Sequence, residues 1–241
     1  MVAPDFVLPI LGLRRGVPNT ADSANRTSVN IASKILELLG IAGREAPEQN
    51  EGRAFEIVVA SYIEQQLPRD REWVVSHKTL GIADFEQYRH LRTLARKVEE
   101  DESGTLEIAM GRPSDYLIIP DVTVGIKGPW EAPLLHASVS CKWTIRSDRV
   151  QNIRHEAILL TRHRRGRQPH IVAVTAEPLP TRLASIGRGT GEIDALYHAT
   201  FDELVEATES AGTGEQKKVL RELIDQRRLF ALGDLPAVLA V

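Results

Sequence analysis

The run His136-Ala-Ser-Val-Ser-Cys-Lys142 reads as a strand that delivers a lysine at its end, and Glu156 follows that lysine by fourteen positions. The strand is expected to extend from His136 to Ile145. Ser147 then stands where it can cap a helix from about Arg149 to Arg164, with Val150, Ile153, Ala157 and Leu160 facing inward and Glu156 bordering that stripe. Taking an ammonium and a carboxylate partly out of water costs free energy unless each finds a partner, so this strand-helix pair is the first place to look for a site. Downstream, Ile171-Val-Ala-Val-Thr175 is apolar on both faces, as an internal strand must be. Upstream, Tyr116-Leu-Ile-Ile-Pro-Asp-Val-Thr-Val-Gly125 is rich in strand formers, and Pro120 implies a bend or a strand start just before Asp121. The turn Lys127 to Pro133 joins these two strands.

Farther out, helical spacing predicts a helix from about Val29 to Leu39 and a second that places Ala54, Phe55, Val58, Val59, Tyr62 and Ile63 on one face and ends at Pro68. Glu56 borders that face. Trp73 to Ser76 is expected to be a short strand, and Asp84 to Glu99 a helix capped by Asp84. A strand from Ile193 to Ala199, a helix opened by a Thr200 and Glu203 capping box, and a last helix from about Glu215 to Leu229 complete the expectation. The succession helix, strand, strand, strand, helix, strand from Glu51 to Thr175 argues for an α/β fold, a central mixed β-sheet flanked by helices. The chain is read as a single domain, 1–241, with a catalytic core at 51–175. Residues 1–28, rich in turn formers and without periodicity, are expected to lie on the surface as an N-terminal arm.

Composition narrows the function. The 241 residues, 42% of them hydrophobic, can fill one sizeable core, and no apolar run approaches the roughly 18 residues of a membrane span. With no membrane partner and no basic, signal-like start, the expected location is the cytoplasm. A single cysteine, Cys141, excludes an internal disulfide and a multi-cysteine zinc site. The net charge of -3 conceals an asymmetry: from Lys142 to Arg167 the chain carries +6, and the remainder -9. Such a basic patch can grip a polyanion while the acidic body stays in solution, although a solvated helix face has the same composition.

Asp121 at a strand start, Lys142 one strand later and Glu156 on the adjoining helix could converge at one sheet edge. Carboxylates there suit Mg²⁺, which can neutralise a scissile phosphate, supply hydroxide and stabilise the departing oxygen. A structural ion pair between Lys142 and Glu156, with Asp121 as a turn residue, satisfies the same pattern. A nucleophilic hydrolase built on Cys141 with His136 or His155 lacks any oxyanion-loop signature and needs an exposed thiol. Asp115, in Pro113-Ser-Asp115, competes with Asp121 by position alone.

Pro120-Asp121, the block Ser140-Cys-Lys-Trp-Thr-Ile-Arg-Ser-Asp-Arg149 and Glu156 together resemble the NgoMIV-like type II restriction endonucleases of the CCGG-recognising group. The resemblance continues through Gly52-Arg-Ala-Phe-Glu56, Pro169-His-Ile-Val, Val174-Thr-Ala-Glu-Pro178 and Gly189-Thr-Gly-Glu-Ile-Asp194, and so covers most of the chain. It implies a PD-(D/E)XK restriction-endonuclease-like fold in which the usual strand carboxylate two positions before the lysine is replaced, here by Ser140, and its charge is supplied from the helix by Glu156. By resemblance Asp121 is the central metal ligand, Lys142 orients or deprotonates the attacking water, Glu56 is a further acidic residue, and Cys141 offers its backbone carbonyl to the metal. The implied cofactor is Mg²⁺, two ions per site.

The same resemblance makes Arg146, Asp148 and Arg149 readers of a CCGG core in double-stranded DNA. The chemistry fits: arginine can donate two hydrogen bonds to guanine, and aspartate can accept one from cytosine. Gln49 and Asp22 match readers of an outer G·C pair; Ala24 departs from a serine of the relatives, and Ser23 beside it could take that part. The implied reaction is hydrolysis of both strands of GCCGGC after the first G, leaving 5′ overhangs. Only Val122 to Cys141 separate Asp121 from Lys142, where the relatives carry a long insertion used in tetramers, so the expected assembly is a homodimer. A cognate DNA methyltransferase is the expected partner in a restriction-modification system. A nuclease of the same fold with another specificity, and a DNA-binding relative with a dead site, are the alternatives.

Overall fold

The computed structural model describes residues 5–145, 147–189 and 191–241; for 147–149 it describes the backbone path and not the side chains. The turn-rich start of the chain is not the surface arm that its composition suggests. Leu8–Ile10 forms a 3-10 turn, and Val7, Ile10 and Leu11 are buried at 0%, 5% and 1% exposure in the same core cluster as Phe55 and Val59. A hairpin follows, β1 (Leu13–Arg14) with β2 (Val17–Pro18). Its turn residues Arg15 and Gly16 both have positive φ, 53° and 75°, the backbone that a two-residue turn between antiparallel strands requires. Three apolar residues anchored through an irregular turn make neither a helical nor an alternating pattern, which is why periodicity does not reveal them.

Asn25 accepts a hydrogen bond from the Ser28 N–H at 3.0 Å and so starts α1 (Arg26–Leu38) earlier than the apolar spacing implies. Asn50 does the same for Arg53 at 3.0 Å and opens α2 (Glu51–Gln66). That helix ends because Pro68 forces Leu67 into extended backbone. After β3 (Trp73–His77) the expected helix from Asp84 begins instead as two 3-10 turns, Ile82–Asp84 and Glu86–Tyr88, and only then becomes α3 (Arg89–Glu99). The Asp84 carboxylate accepts from the Gly81 N–H at 2.8 Å, closing the first turn rather than capping a long helix.

The chain continues through α4 (Thr105–Met110), α5 (Pro113–Tyr116), β4 (Val122–Ile126), β5 (Leu134–Lys142), α6 (Ser147–His163), β6 (His170–Thr175), α7 (Pro180–Gly187), β7 (Ala195–His198), α8 (Phe201–Ala211), α9 (Gly214–Asp225), β8 (Leu229–Ala231) and α10 (Leu235–Leu239). Thr200 stands at the N-cap of α8 without a side-chain cap bond, so the expected capping box does not form. The last helix stops at Asp225, Arg227 turns the chain at φ 55°, and an edge strand and a short helix occupy the tail.

Six strands form one sheet in the order β3-β4-β5-β6-β7-β8, antiparallel from β3 to β5 and parallel from β5 to β8. Parallel neighbours cannot be joined by a tight turn, and α6 is the crossover between β5 and β6. On one face Val122, Val139, Cys141, Val172 and Val174 share a core with Phe55, Val59 and Ile63 of α2. On the other, Ala173 packs with Ile153 of α6, and Leu135 and Ile171 with Ala157 and Leu160. β6 is therefore apolar on both sides, while β5 alternates Leu135, Ala137, Val139 and Cys141 with His136, Ser138 and Ser140. Because Leu11 is a core residue, Leu11→Ala is expected to cost about 2–5 kcal/mol in denaturant unfolding; a loss below about 0.5 kcal/mol, as for a surface arm, would contradict this packing.

Candidate active site

β4 and β5 are antiparallel with Val122 opposite Val139, so Asp121, one residue before β4, arrives beside the last residues of β5. The Cys141 N–H donates to Asp121 Oδ2 at 2.9 Å, and Lys142 Nζ approaches the same oxygen at 2.5 Å. Asp121 is buried at 8% exposure, and these two donors answer its carboxylate oxygen there. The neighbouring thiol of Cys141 is driven far above the ordinary cysteine range by burial and by the Asp121 charge, so it is no nucleophile.

A second cation completes the cluster. β3 pairs with β4 so that His77 faces Val122, which sets Lys78 next to Asp121. Lys78 Nζ lies 2.8 Å from Glu56 Oε1 and 3.3 Å from Asp121 Oδ1, while Glu56 Oε2 meets His77 Nε2 at 3.0 Å. Glu56 is the one carboxylate on the buried stripe of α2. Burial pushes the Lys78 pKa down, but the Glu56 hydrogen bond and the Asp121 and Glu56 charges outweigh it and leave it above the usual lysine value. Its backbone is in the left-handed region, φ 52°, which a lysine adopts at a cost.

Glu156, on α6, is half-buried and lies within electrostatic reach of this cluster. Burial raises its carboxyl pKa, Lys142 draws it back down, Asp121 pushes it up and Lys78 lowers it. Glu56, Lys78 and Lys142 line a cleft of about 850 Å³ whose wall also includes Asn50, Arg53, Trp143 and Asn152.

Among the described residues, no three His, Cys, Asp or Glu side chains are already gathered as a metal cage. The ammonium groups of Lys78 and Lys142 stand between the carboxylates and balance them instead. The donor chemistry fits a hard divalent cation, since Asp121, Glu56 and Glu156 offer oxygens only; a cation there would take the place of ammonium now paired with two of them.

Of the expected DNA-contacting residues, Arg146 lies outside the described residues, as do the side chains of Asp148 and Arg149. Gln49 is exposed in the loop before α2, next to Asn50 of the cleft. Ser23 is exposed, and Asp22 is half-buried, held by Arg182 of α7 and by a bond from its own N–H to Ser28 Oγ at 3.0 Å. Trp143 Nε1 donates to the Asn19 carbonyl at 2.9 Å, tying the N-terminal segment to the end of β5. The competing Asp115 is exposed and caps α5 through the Arg112 N–H at 3.0 Å. His136 is buried against the Leu239 carbonyl at 2.8 Å, with its pKa pushed down to about 4 chiefly by burial, so it is no partner for Cys141. Sequence reasoning missed Lys78, because it falls just past the expected strand, and Arg182, because its partner is 160 residues away.

The model of the NgoMIV restriction enzyme family matches residues 10–128 and 126–241 of this chain. The chain belongs to that family. It is 39% identical over 264 residues, covering 94% of this chain and 91% of the relative, to the type II restriction enzyme NgoMIV of Neisseria gonorrhoeae. As a member of the NgoMIV restriction enzyme family it is a type II restriction endonuclease, a class of site-specific deoxyribonucleases that generally use a divalent metal. Among the described residues no helix is long and apolar enough to cross a membrane.

The family match breaks at 126–128, at the turn between β4 and β5, where this chain spends only residues 127–133.

If Lys78 balances Glu56 and Asp121, Lys78→Met should lower the melting temperature by a few degrees in EDTA and recover most of that loss in millimolar Mg²⁺. An equal loss in both conditions would show that its role is packing alone.

Proposed function

We propose that this endonuclease has the PD-(D/E)XK fold and hydrolyses, with Mg²⁺, both strands of double-stranded DNA carrying a CCGG core, cutting GCCGGC after the first G to leave 5′ overhangs. The observation that carries the reading is the Asp121 carboxylate, which receives the Cys141 N–H and Lys142 on one oxygen and Lys78 on the other. In this reading Asp121, Glu56, Glu156 and the Cys141 carbonyl would hold two Mg²⁺ ions. Bound there, the metal supplies charge neutralisation for the phosphate and a hydroxide at neutral pH.

The rest falls to the chain. Lys142, fixed by Asp121, orients the attacking water or takes its proton. Ser140 leaves the strand position two before the lysine uncharged, so the second carboxylate must come from α6 as Glu156. Burial raises its carboxyl pKa, so positive charge brought near it favours the ionised form. Arg146 and Arg149 read guanine, and Asp148 reads cytosine; Gln49, Asp22 and Ser23 read the outer pair. A twofold dimer doubles this half-site into a palindrome.

The short β4–β5 turn and the break of the family match at that turn support a dimer rather than a tetramer. The cognate partner in the cell is a DNA methyltransferase that protects the same sequence.

Digestion of a plasmid of known sequence with Mg²⁺, followed by sequencing of the ends, is expected to give cuts at GCCGGC. Lys142→Ala should abolish cleavage, with a rate loss of about a hundredfold or more, yet retain duplex binding in Ca²⁺. Cuts unrelated to CCGG, or a fully active Lys142→Ala, would contradict the proposal. Sedimentation on a duplex should give a dimer; a stable tetramer would show that the lost insertion is not what builds it.

A further inference from the structure

Glu177 lies two residues beyond β6 and is fully buried, at 0% exposure. Its Oε2 accepts from the Ile145 N–H at 2.9 Å, and its Oε1 from the Leu179 N–H at 3.1 Å. Arg182 Nη1 stands 3.8 Å from Oε2, and the same guanidinium holds the Asp22 carboxylate through Nη2. The residue's own backbone is fixed as well: its N–H donates to Thr175 Oγ1 at 3.1 Å, and its carbonyl meets His198 Nε2 at 3.1 Å.

A carboxylate in such a place is costly. Burial pushes its pKa up to about 7, against the pull of the Ile145 N–H, the Arg182 charge and the Leu179 N–H, while the Asp22 charge pushes the same way as burial. The folded state therefore favours the neutral form, and this contribution to stability is fully present below the ordinary carboxyl pKa and lost as pH rises through about 7. Packing alone would be served better by an apolar side chain.

What the carboxylate joins is specific. Ile145 is the residue directly before Arg146, and Arg182 is the partner of Asp22. One buried side chain thus holds the entry to the segment 146–149 and, through one arginine, the N-terminal segment at Asp22. Glu177 also lies in the stretch Val174-Thr-Ala-Glu-Pro178 that carries part of the family resemblance.

We propose that Glu177 is a positioning residue for sequence discrimination, setting the relative placement of the 146–149 segment and of Asp22 on the DNA without touching it. The inference rests on the DNA-reading roles proposed above for those residues. The carboxylate bonds to Ile145, Leu179 and Arg182, none of which is assigned a part in cutting.

The test uses the full chain and three duplexes: GCCGGC, one with a single core pair changed and one with the outer pair changed. Glu177→Gln is isosteric, but its NH₂ group faces a backbone N–H, so one of the two donors loses its acceptor. Single-turnover cleavage should show the ratio of cognate to altered-duplex rates falling about tenfold, the equivalent of one lost hydrogen bond to a charged acceptor. The melting temperature at pH 8 should fall by no more than a few degrees, and Ca²⁺ affinity should be unchanged. Glu177→Asp, which keeps the charge but cannot reach both donors, should lose discrimination in the same way. Wild-type discrimination in both variants, whatever their melting temperatures, overturns the inference. A wild-type enzyme with no preference for the CCGG core overturns the functional reading itself and the inference with it.

Discussion

A negative charge placed at the edge of a buried sheet has to be answered, and the way Asp121 is answered organises this molecule. One oxygen takes the Cys141 N–H and the Lys142 ammonium, and the other faces Lys78. Each partner arrives by a different route: Cys141 and Lys142 through the antiparallel pairing of β5 with β4, and Lys78 through the pairing of β3 with β4. Three strands must therefore be in register before the carboxylate is satisfied. A slip of one residue in either ladder would turn Lys142 or Lys78 to the opposite face and leave Asp121 buried and unpaired. Glu56 extends the same logic to α2, whose buried stripe it interrupts at the one place where Lys78 and His77 can meet it.

The elements proposed to read DNA are tied to this centre through the end of β5. Trp143 bonds to the Asn19 carbonyl, Ile145 to Glu177, and Asp22 to Arg182. The N-terminal segment, the entry to α6 and the start of α7 thus meet within a few residues of Lys142. Burial of Val7, Ile10 and Leu11 gives that segment a fixed base, and Arg182 and Ser28 hold Asp22 farther along it.

Much of this was legible in the chain itself. β6 declares itself because both its faces are apolar, and α2 and α6 because their apolar residues recur at helical spacing. The block from Ser140 to Arg149 carried the family, and Asp121 meets Lys142 on one side and is joined to Glu56 through Lys78 on the other. Other parts were hidden for physical reasons. The helix expected from Asp84 starts as 3-10 turns because the Asp84 carboxylate bonds backward to Gly81, a choice between two local bonds that composition does not weigh. The inward fold of the first residues depends on a surface supplied by α2. Lys78 becomes part of the site only through strand pairing, and Glu177 and Arg182 only through contacts across the fold. None of these leaves a periodic trace.

The central claim is that Asp121 gathers positive charge at this sheet edge so that a divalent cation can replace ammonium there when DNA is bound. Calorimetric titration of Ca²⁺ into the enzyme saturated with a GCCGGC duplex, for the wild type and for Asp121→Asn, tests it most directly. The account predicts Ca²⁺ binding in the wild type and its loss in Asp121→Asn with duplex binding retained. Undiminished Ca²⁺ binding in Asp121→Asn would contradict it.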